Sequence, residues 1–284
     1  NGNAYPLSKS ETNLDENDYI FLERYLDATK ANLFFARNVM IVEGPGEALL
    51  LPTLSRLLNR DFVDFGVSLV DVRSTGLRRY SKIFQRKNKD NPQYSGDWLN
   101  IKVACITDRD IMPNCAPRIC LNREYNDDKT NWPEINDRRW IVESDFNDTQ
   151  KATYLDRIQV KANGQNVKTF VSDKWTLEYD LAYYGLNNVT MKDFLIRAIV
   201  KTTYAQVNWE SKITEISKAL DTQASIEEKA SCFYSFFAKG NTSKAEFSQQ
   251  LALELETDFS GTEEKLKDLL PPYIVNAILF VTKN

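Results

Sequence analysis

The sequence predicts an α/β fold, a mostly parallel sheet flanked by helices, followed by a C-terminal all-helical region. Two observations carry this. Short apolar runs at residues 38–43 and 66–72, and in LNIKVACITDRD, are separated by helix-like stretches. Apolar strands alternating with helices call for a parallel sheet covered on both faces. From about residue 190 the chain reads as helix to its end, in blocks such as KGNTSKAEFSQQLALELE and GTEEKLKDLLPPYIVNAILF broken by turns. The expected division is a linker and leading helix over 1–37, an α/β domain over 38–186 and a helical domain over 187–284.

Taken in order, residues 1–17 are polar and read as linker. Residues 18–37 carry Ile20, Phe21, Tyr25, Leu26, Leu33 and Phe34 at helical spacing. A strand over 38–43 leads into a helix over about 46–60, where Pro52 should introduce a kink. The strand GVSLVDV, the basic helix TGLRRYSKIFQRKN and a third strand ending in Asp108 follow. NREYNDDKTNWPEINDRR is polar and reads as loop. RWIVESD reads as a strand, and RIQVKANGQNVKTFVSD as two strands joined by a turn at ANGQN. WTLEYDLAYYGL opens a helix with Thr176 as N-cap. Trp132, Trp140, Trp175 and Trp209 read as core rather than as base-stacking platforms.

Composition narrows the chemistry. At 284 residues the chain can bury a sizeable core, and its net charge of −4 gives no whole-chain footprint for nucleic acid. There is no histidine, which removes Ser-His-Asp and Cys-His schemes; catalysis must come from carboxylates, lysine or metal. The four cysteines have no paired C-x-x-C spacing, so free thiols in a reducing cytoplasm are expected rather than a zinc site. No apolar run reaches the ~18 residues needed to span a bilayer. The polar start without methionine reads as a piece of a longer chain.

The chemistry concentrates where apolar strands stop. NVMIVEGPGEALLLP breaks off an apolar run at Glu43 and adds Glu47 four residues later. ACITDRD ends another in Asp108 and Asp110. Ligands bind beyond the carboxyl ends of parallel strands, and residues two apart on a strand share a face. Gly44 and Gly46 permit a sharp turn and Pro45 fixes one φ within it. Carboxylates gathered at one edge repel unless a cation sits among them, and hard oxygen ligands suit Mg²⁺, Mn²⁺ or Ca²⁺. Solvated edge charge is the bland alternative; the combination of both acidic strand ends favours metal.

VMIVEGPGE with ACITDRD resembles the TOPRIM domain of primases, topoisomerases and related nucleases. NLFFAR, GVSLVDV, KWTLEYDLA and KGNTSKAEFSQQLA extend the resemblance to the OLD (overcoming lysogenization defect) family, over about residues 18–284. That resemblance implies a C-terminal TOPRIM nuclease region that cleaves or nicks DNA with two divalent cations. In the family it is joined to an N-terminal ABC-type ATPase, sometimes with a UvrD-like helicase partner in phage defence. The chain contains no G-x-x-x-x-G-K-[ST] loop, so the ATPase is not within it. It departs from the family in DVRSTG, where Arg73 replaces a small residue.

The expected function is a divalent-metal-dependent DNA endonuclease. The alternatives are another TOPRIM chemistry, topoisomerase or primase, or a non-catalytic DNA-binding or assembly module. No tyrosine is marked as a topoisomerase nucleophile. In a two-metal site the ions lie about 3.5–4 Å apart, and four carboxylates, Glu43, Glu47, Asp108 and Asp110, balance two divalent charges. Glu178 and Glu143 are further candidate ligands, and Thr107, Ser74 and Thr75 could add neutral oxygens. Lys174, before TLE as in the family, is the expected catalytic cation beside Glu43 and Asp108. DNA contacts are expected from Arg73, Arg78, Arg79, Lys82 and Arg86, in a basic stretch that also holds Lys87 and Lys89.

Overall fold

A computed structural model describes residues 5–26, 31–73, 76–87, 99–160 and 162–283. The apolar runs form strands β1 (Asn38–Val42), β2 (Val67–Asp71) and β3 (Val103–Thr107). They are followed by the short β4 (Ile111–Met112) and β5 (Ile141–Val142), then β6 (Val167–Val171). The main sheet runs β2-β1-β3-β6 with every neighbour parallel. β4 and β5 pair separately, also parallel.

Alternation along the strands sorts the core into two faces. Val39, Ile41, Val103 and Cys105 point to one side. There they meet Leu22 of α1 (Glu16–Tyr25) and Leu77 and Tyr80 of α4 (Leu77–Lys82). Met40, Val42, Ala104 and Ile106 point to the other, towards Leu50, Leu51 and Leu54 of α2 (Pro45–Leu57). The one-turn α3 (Phe62–Phe65) completes the β1–β2 crossover, and Gly66 takes φ +63° to end it. α5 (Asp148–Val160) precedes β6.

The remaining helices are α6 (Leu177–Gly185), α7 (Val189–Thr203), α8 (Trp209–Asp221), α9 (Ile226–Ala238), α10 (Lys244–Asp258), α11 (Glu263–Leu269) and α12 (Pro272–Val281). Thr176, Asn188, Ser225, Ser243 and Thr262 cap α6, α7, α9, α10 and α11 by accepting a backbone N–H with their side chains. These helices share one continuous apolar core with α2 and with the sheet face it covers. α10 packs along α2, and α12 returns to lie over β1, β3 and β6. Asn38 Nδ2 donates to the Val281 carbonyl at 2.9 Å, tying the start of β1 to the end of α12.

Several local expectations change. The predicted strand RIQV is the last turn of α5, whose Lys151, Tyr154, Leu155 and Ile158 form its less exposed, helically spaced face. The turn at ANGQN is present, with mutual backbone hydrogen bonds between Gly164 and Val167, but it joins a helix to a strand. The helical spacing over 18–37 belongs to two pieces, α1 and a 3₁₀ turn at Ala31–Phe34. α2 continues through Pro52 as helix. Residues that read as linker are held to the fold: Leu14 is buried, Thr12 bridges to Arg86, and Asp15 caps α1. Trp175 is core; Trp132 and Trp140 are half-buried and flank Arg138 in the loop between β4 and β5.

Candidate active site

Where β1 ends, Glu43 leaves the sheet, and Thr107 at the end of β3 donates its hydroxyl to Glu43 Oε2 at 2.8 Å. The parallel register brings the two together, because Ile41 lies level with Cys105 two residues earlier. Gly44 is the extended N-cap of α2 and Pro45 its first residue. Glu47, in the first turn, is buried, with 9% of its surface exposed. Burial pushes its carboxyl up to about 7; its own backbone N–H and Lys244 oppose the shift, and Glu178 and Glu43 reinforce it.

Asp108 follows β3 directly and accepts the Leu177 N–H at 3.2 Å. Burial, then the carboxylates of Glu178, Glu47 and Asp110, raise its pKa well above the usual range against the pull of Lys244. Glu178 arrives from the first turn of α6, where the capping hydroxyl of Thr176 donates to it at 3.2 Å. Lys244, the first residue of α10, meets Glu178 at 2.7 Å. Its side chain is 45% exposed. Its own burial opposes the charge, but Glu178, Tyr234 and Asp108 raise its pKa and keep it cationic. α2 and α10 meet closely at Gly46, where a Cβ would lie 3.2 Å from Ser248 Oγ and 3.8 Å from Glu178 Oε1.

Residues 34–110 match the family model described as overcoming lysogenization defect protein-like, TOPRIM domain. This segment is an OLD-like TOPRIM domain. Among solved structures, the chain is similar to the C-terminal region of the Xanthomonas campestris pv. campestris OLD protein. Identity is 21%, the match covers 88% of this chain and 94% of that one, and the TM-score is 0.47. It is also similar to the C-terminal region of the Burkholderia pseudomallei OLD protein, at 20% identity, 88% and 98% coverage and a TM-score of 0.47. No curated protein matches the sequence.

TOPRIM domains generally bind divalent metals. The donor set here fits a hard cation, being all oxygen, with no histidine in the chain. Among the described residues no three acidic or cysteine side chains already close on one point. Glu43, Glu47, Asp108 and Glu178 line the cluster. Asp110 bears on it from an exposed position with φ +55°. β3 stops at Thr107, so the two aspartates do not share a strand face; a left-handed residue turns the chain there instead.

The residue between the aspartates anchors the TOPRIM acidic loop. Arg109 is buried; its backbone N–H donates to Ser172 Oγ, and its guanidinium donates to the Asp173 carbonyl at 2.6 Å and to Glu143 at 2.5 Å. Glu143 therefore lies with Arg109 and Lys151. Its burial is outweighed by those two cations, which hold its pKa low. Asp180 accepts the backbone N–H groups of Asp173, Lys174 and Trp175, shaping the turn that enters α6.

Lys174 does not join the cluster. Its ammonium lies 4.6 Å from the Tyr183 ring centroid, and no ion pair links it to a cluster carboxylate among the described residues. The cation that does is Lys244. The capping pattern of Ser243 and Glu246 in NTSKAEF marks a helix start, but nothing in its spacing ties that start to the acidic edge.

The basic stretch faces α1. Lys82 hydrogen-bonds to buried Asp18, Arg79 lies 3.2 Å from it and Arg78 3.9 Å. Arg86 is buried and donates to the Pro6 carbonyl at 2.6 Å. The Arg73 backbone N–H donates to Asp71. Ser74, Thr75 and Lys89 fall outside the described residues.

Proposed function

We propose that the chain is a divalent-metal-dependent endodeoxyribonuclease that hydrolyses DNA phosphodiesters with two bound cations, Mg²⁺ or Mn²⁺. The observation that carries this reading is that Glu43, Glu47, Asp108 and Glu178, just after β1, on α2, just after β3 and on α6, lie along one edge where Lys244 pairs with Glu178. The TOPRIM match over 34–110 includes the first three.

Glu43, Glu47, Asp108 and Glu178, with Asp110 at the rim, are the residues to hold the cations. Held there, such ions would supply Lewis-acid polarisation of a phosphodiester and a more acidic water near neutral pH. Thr107 orients Glu43 by its hydrogen bond, and the Leu177 N–H fixes one Asp108 oxygen. Lys244 places a positive charge where negative charge grows on the phosphate oxygens, and a preorganised cation acts most strongly on the transition state. Arg109 keeps the two aspartates in place by locking its own backbone to Ser172. An ABC-type ATPase and a UvrD-like helicase as partners belong to the same reading.

The test is to incubate the chain with supercoiled plasmid in Mg²⁺, Mn²⁺, Ca²⁺ or EDTA. Nicked and linear products that need Mg²⁺ or Mn²⁺ are expected. Relaxed closed circles would instead identify a topoisomerase, and no change in any lane would leave only a binding module.

A further inference from the structure

Two buried hydroxyls near the acidic cluster have no hydrogen-bond partner among the described residues: Ser248 Oγ and Tyr273 Oη. Ser248 is fully buried on α10, one turn beyond Lys244. Its oxygen faces the same point above Gly46 as Glu178 Oε1, at 3.2 Å against 3.8 Å. Tyr273 is 4% exposed, in the first turn of α12, where its backbone N–H donates to Asp173 Oδ2. α12 lies across β3 and β6, and Tyr273 belongs to the core it shares with them. Asp180, Asp108, Glu47 and Glu178 all act on its hydroxyl and, after burial, oppose its ionisation.

An unpaired buried hydroxyl is destabilising relative to an apolar group of the same shape. Both stand on helices whose buried residues are mostly apolar: α12 reads PYIVNAILFV, and α10 buries Phe247 and Leu251 next to Ser248. A neutral hydroxyl can donate to a carboxylate without adding charge. Carboxylates that bind a cation through one oxygen need donors on the other, and such outer partners set affinity.

We infer that Ser248 and Tyr273 are positioning residues of the acidic cluster, donating to its carboxylates when these turn towards a bound cation. The inference rests on the metal-dependent reading above and deepens it. The partner of Ser248 is Glu178.

The test compares Tyr273→Phe, Ser248→Ala and the double variant with the wild-type chain, and uses Glu47→Gln as a ligand control. Mn²⁺ affinity is measured by calorimetry, and melting temperature with and without Mn²⁺. Removing an outer partner typically weakens metal binding about 10–100-fold. A tenfold loss or more is expected in each single variant. The metal-free melting temperature should be unchanged or higher, and the rise on adding Mn²⁺ smaller. Mn²⁺ affinity within twofold of wild type, with Glu47→Gln impaired, overturns the role of the hydroxyls and leaves the metal-dependent reading standing. A metal-free melting temperature that falls together with affinity makes the hydroxyls structural and also overturns it. A wild-type chain that binds no Mn²⁺ overturns both.

Discussion

Glu47 illustrates how burial sets the charge of the acidic edge. Its folded pKa of about 7 lies above the ordinary 4.5, so the folded chain holds a proton there that the unfolded chain releases. Stability from this group is full below pH 4.5 and is lost as pH rises through about 7. In EDTA, the melting temperature of the wild-type chain should therefore fall from pH 5 to pH 8 more steeply than that of Glu47→Gln. Parallel profiles would show that Glu47 does not titrate as its burial requires. In the same cluster, Lys244→Ala should slow single-turnover nicking by about 100-fold, with Mn²⁺ affinity kept or raised. Lys174→Ala should leave the rate within a few-fold of wild type, because its ammonium rests on Tyr183. A reversed order of the two effects would return the catalytic role to Lys174.

Between elements, a buried polar link outside the site joins α1 to α4. Asp18 is fully buried; it accepts the Asp15 N–H in the capping box and pairs with Lys82 and Arg79. Burial opposes its charge, but the Lys82 hydrogen bond and the Asp15 N–H outweigh it and hold its pKa below 3.8. Its contribution is present above that value and disappears as pH falls through the lower folded value. Asp18→Asn should cost about 3 kcal/mol at pH 7, since it leaves Lys82, Arg79 and Arg78 facing an uncharged buried partner. The difference from wild type, read from urea midpoints, should shrink towards pH 3. A constant difference would assign the loss to packing. The arrangement also explains why a basic cluster in an acidic chain need not be a DNA surface: an acid on another helix already meets it.

The whole molecule depends on its last helix. Ile274, Ala277, Ile278 and Val281 of α12 are buried against the sheet face that holds Met40, Ala104 and Ile106. Each large apolar side chain contributes about 1.5–3 kcal/mol on burial, against a typical total stability of about 5–15 kcal/mol. A chain ending at residue 270 should lose cooperative unfolding and the near-ultraviolet circular dichroism of packed aromatics. A cooperative melt near the wild-type temperature would show that the sheet stands without α12. The same helix carries Tyr273, so one element serves both the core and the proposed support of the acidic edge.

Alternation, apolar runs and capping residues are local, and the sequence alone determined what depends on them: a parallel α/β sheet followed by helices. Strand ends follow from the same signals, so Glu43, Asp108 and the first-turn Glu47 were legible, as were the caps at Thr176 and Ser243. RIQV fits a strand as well as the end of a helix, because four residues of mixed polarity suit either, and the longer face from Lys151 to Ile158 decides for helix. Which cation meets the carboxylates was not legible. Lys174 is near Glu178 in sequence and Lys244 is far, but α10 packs along α2 at Gly46 and delivers Lys244, while the turn organised by Asp180 carries Lys174 away. Helix-on-helix packing is a long-range choice made by complementary surfaces, and no local pattern encodes it. The hidden hydroxyls of Ser248 and Tyr273 come from the same choice: only burial by distant elements distinguishes them from ordinary polar positions.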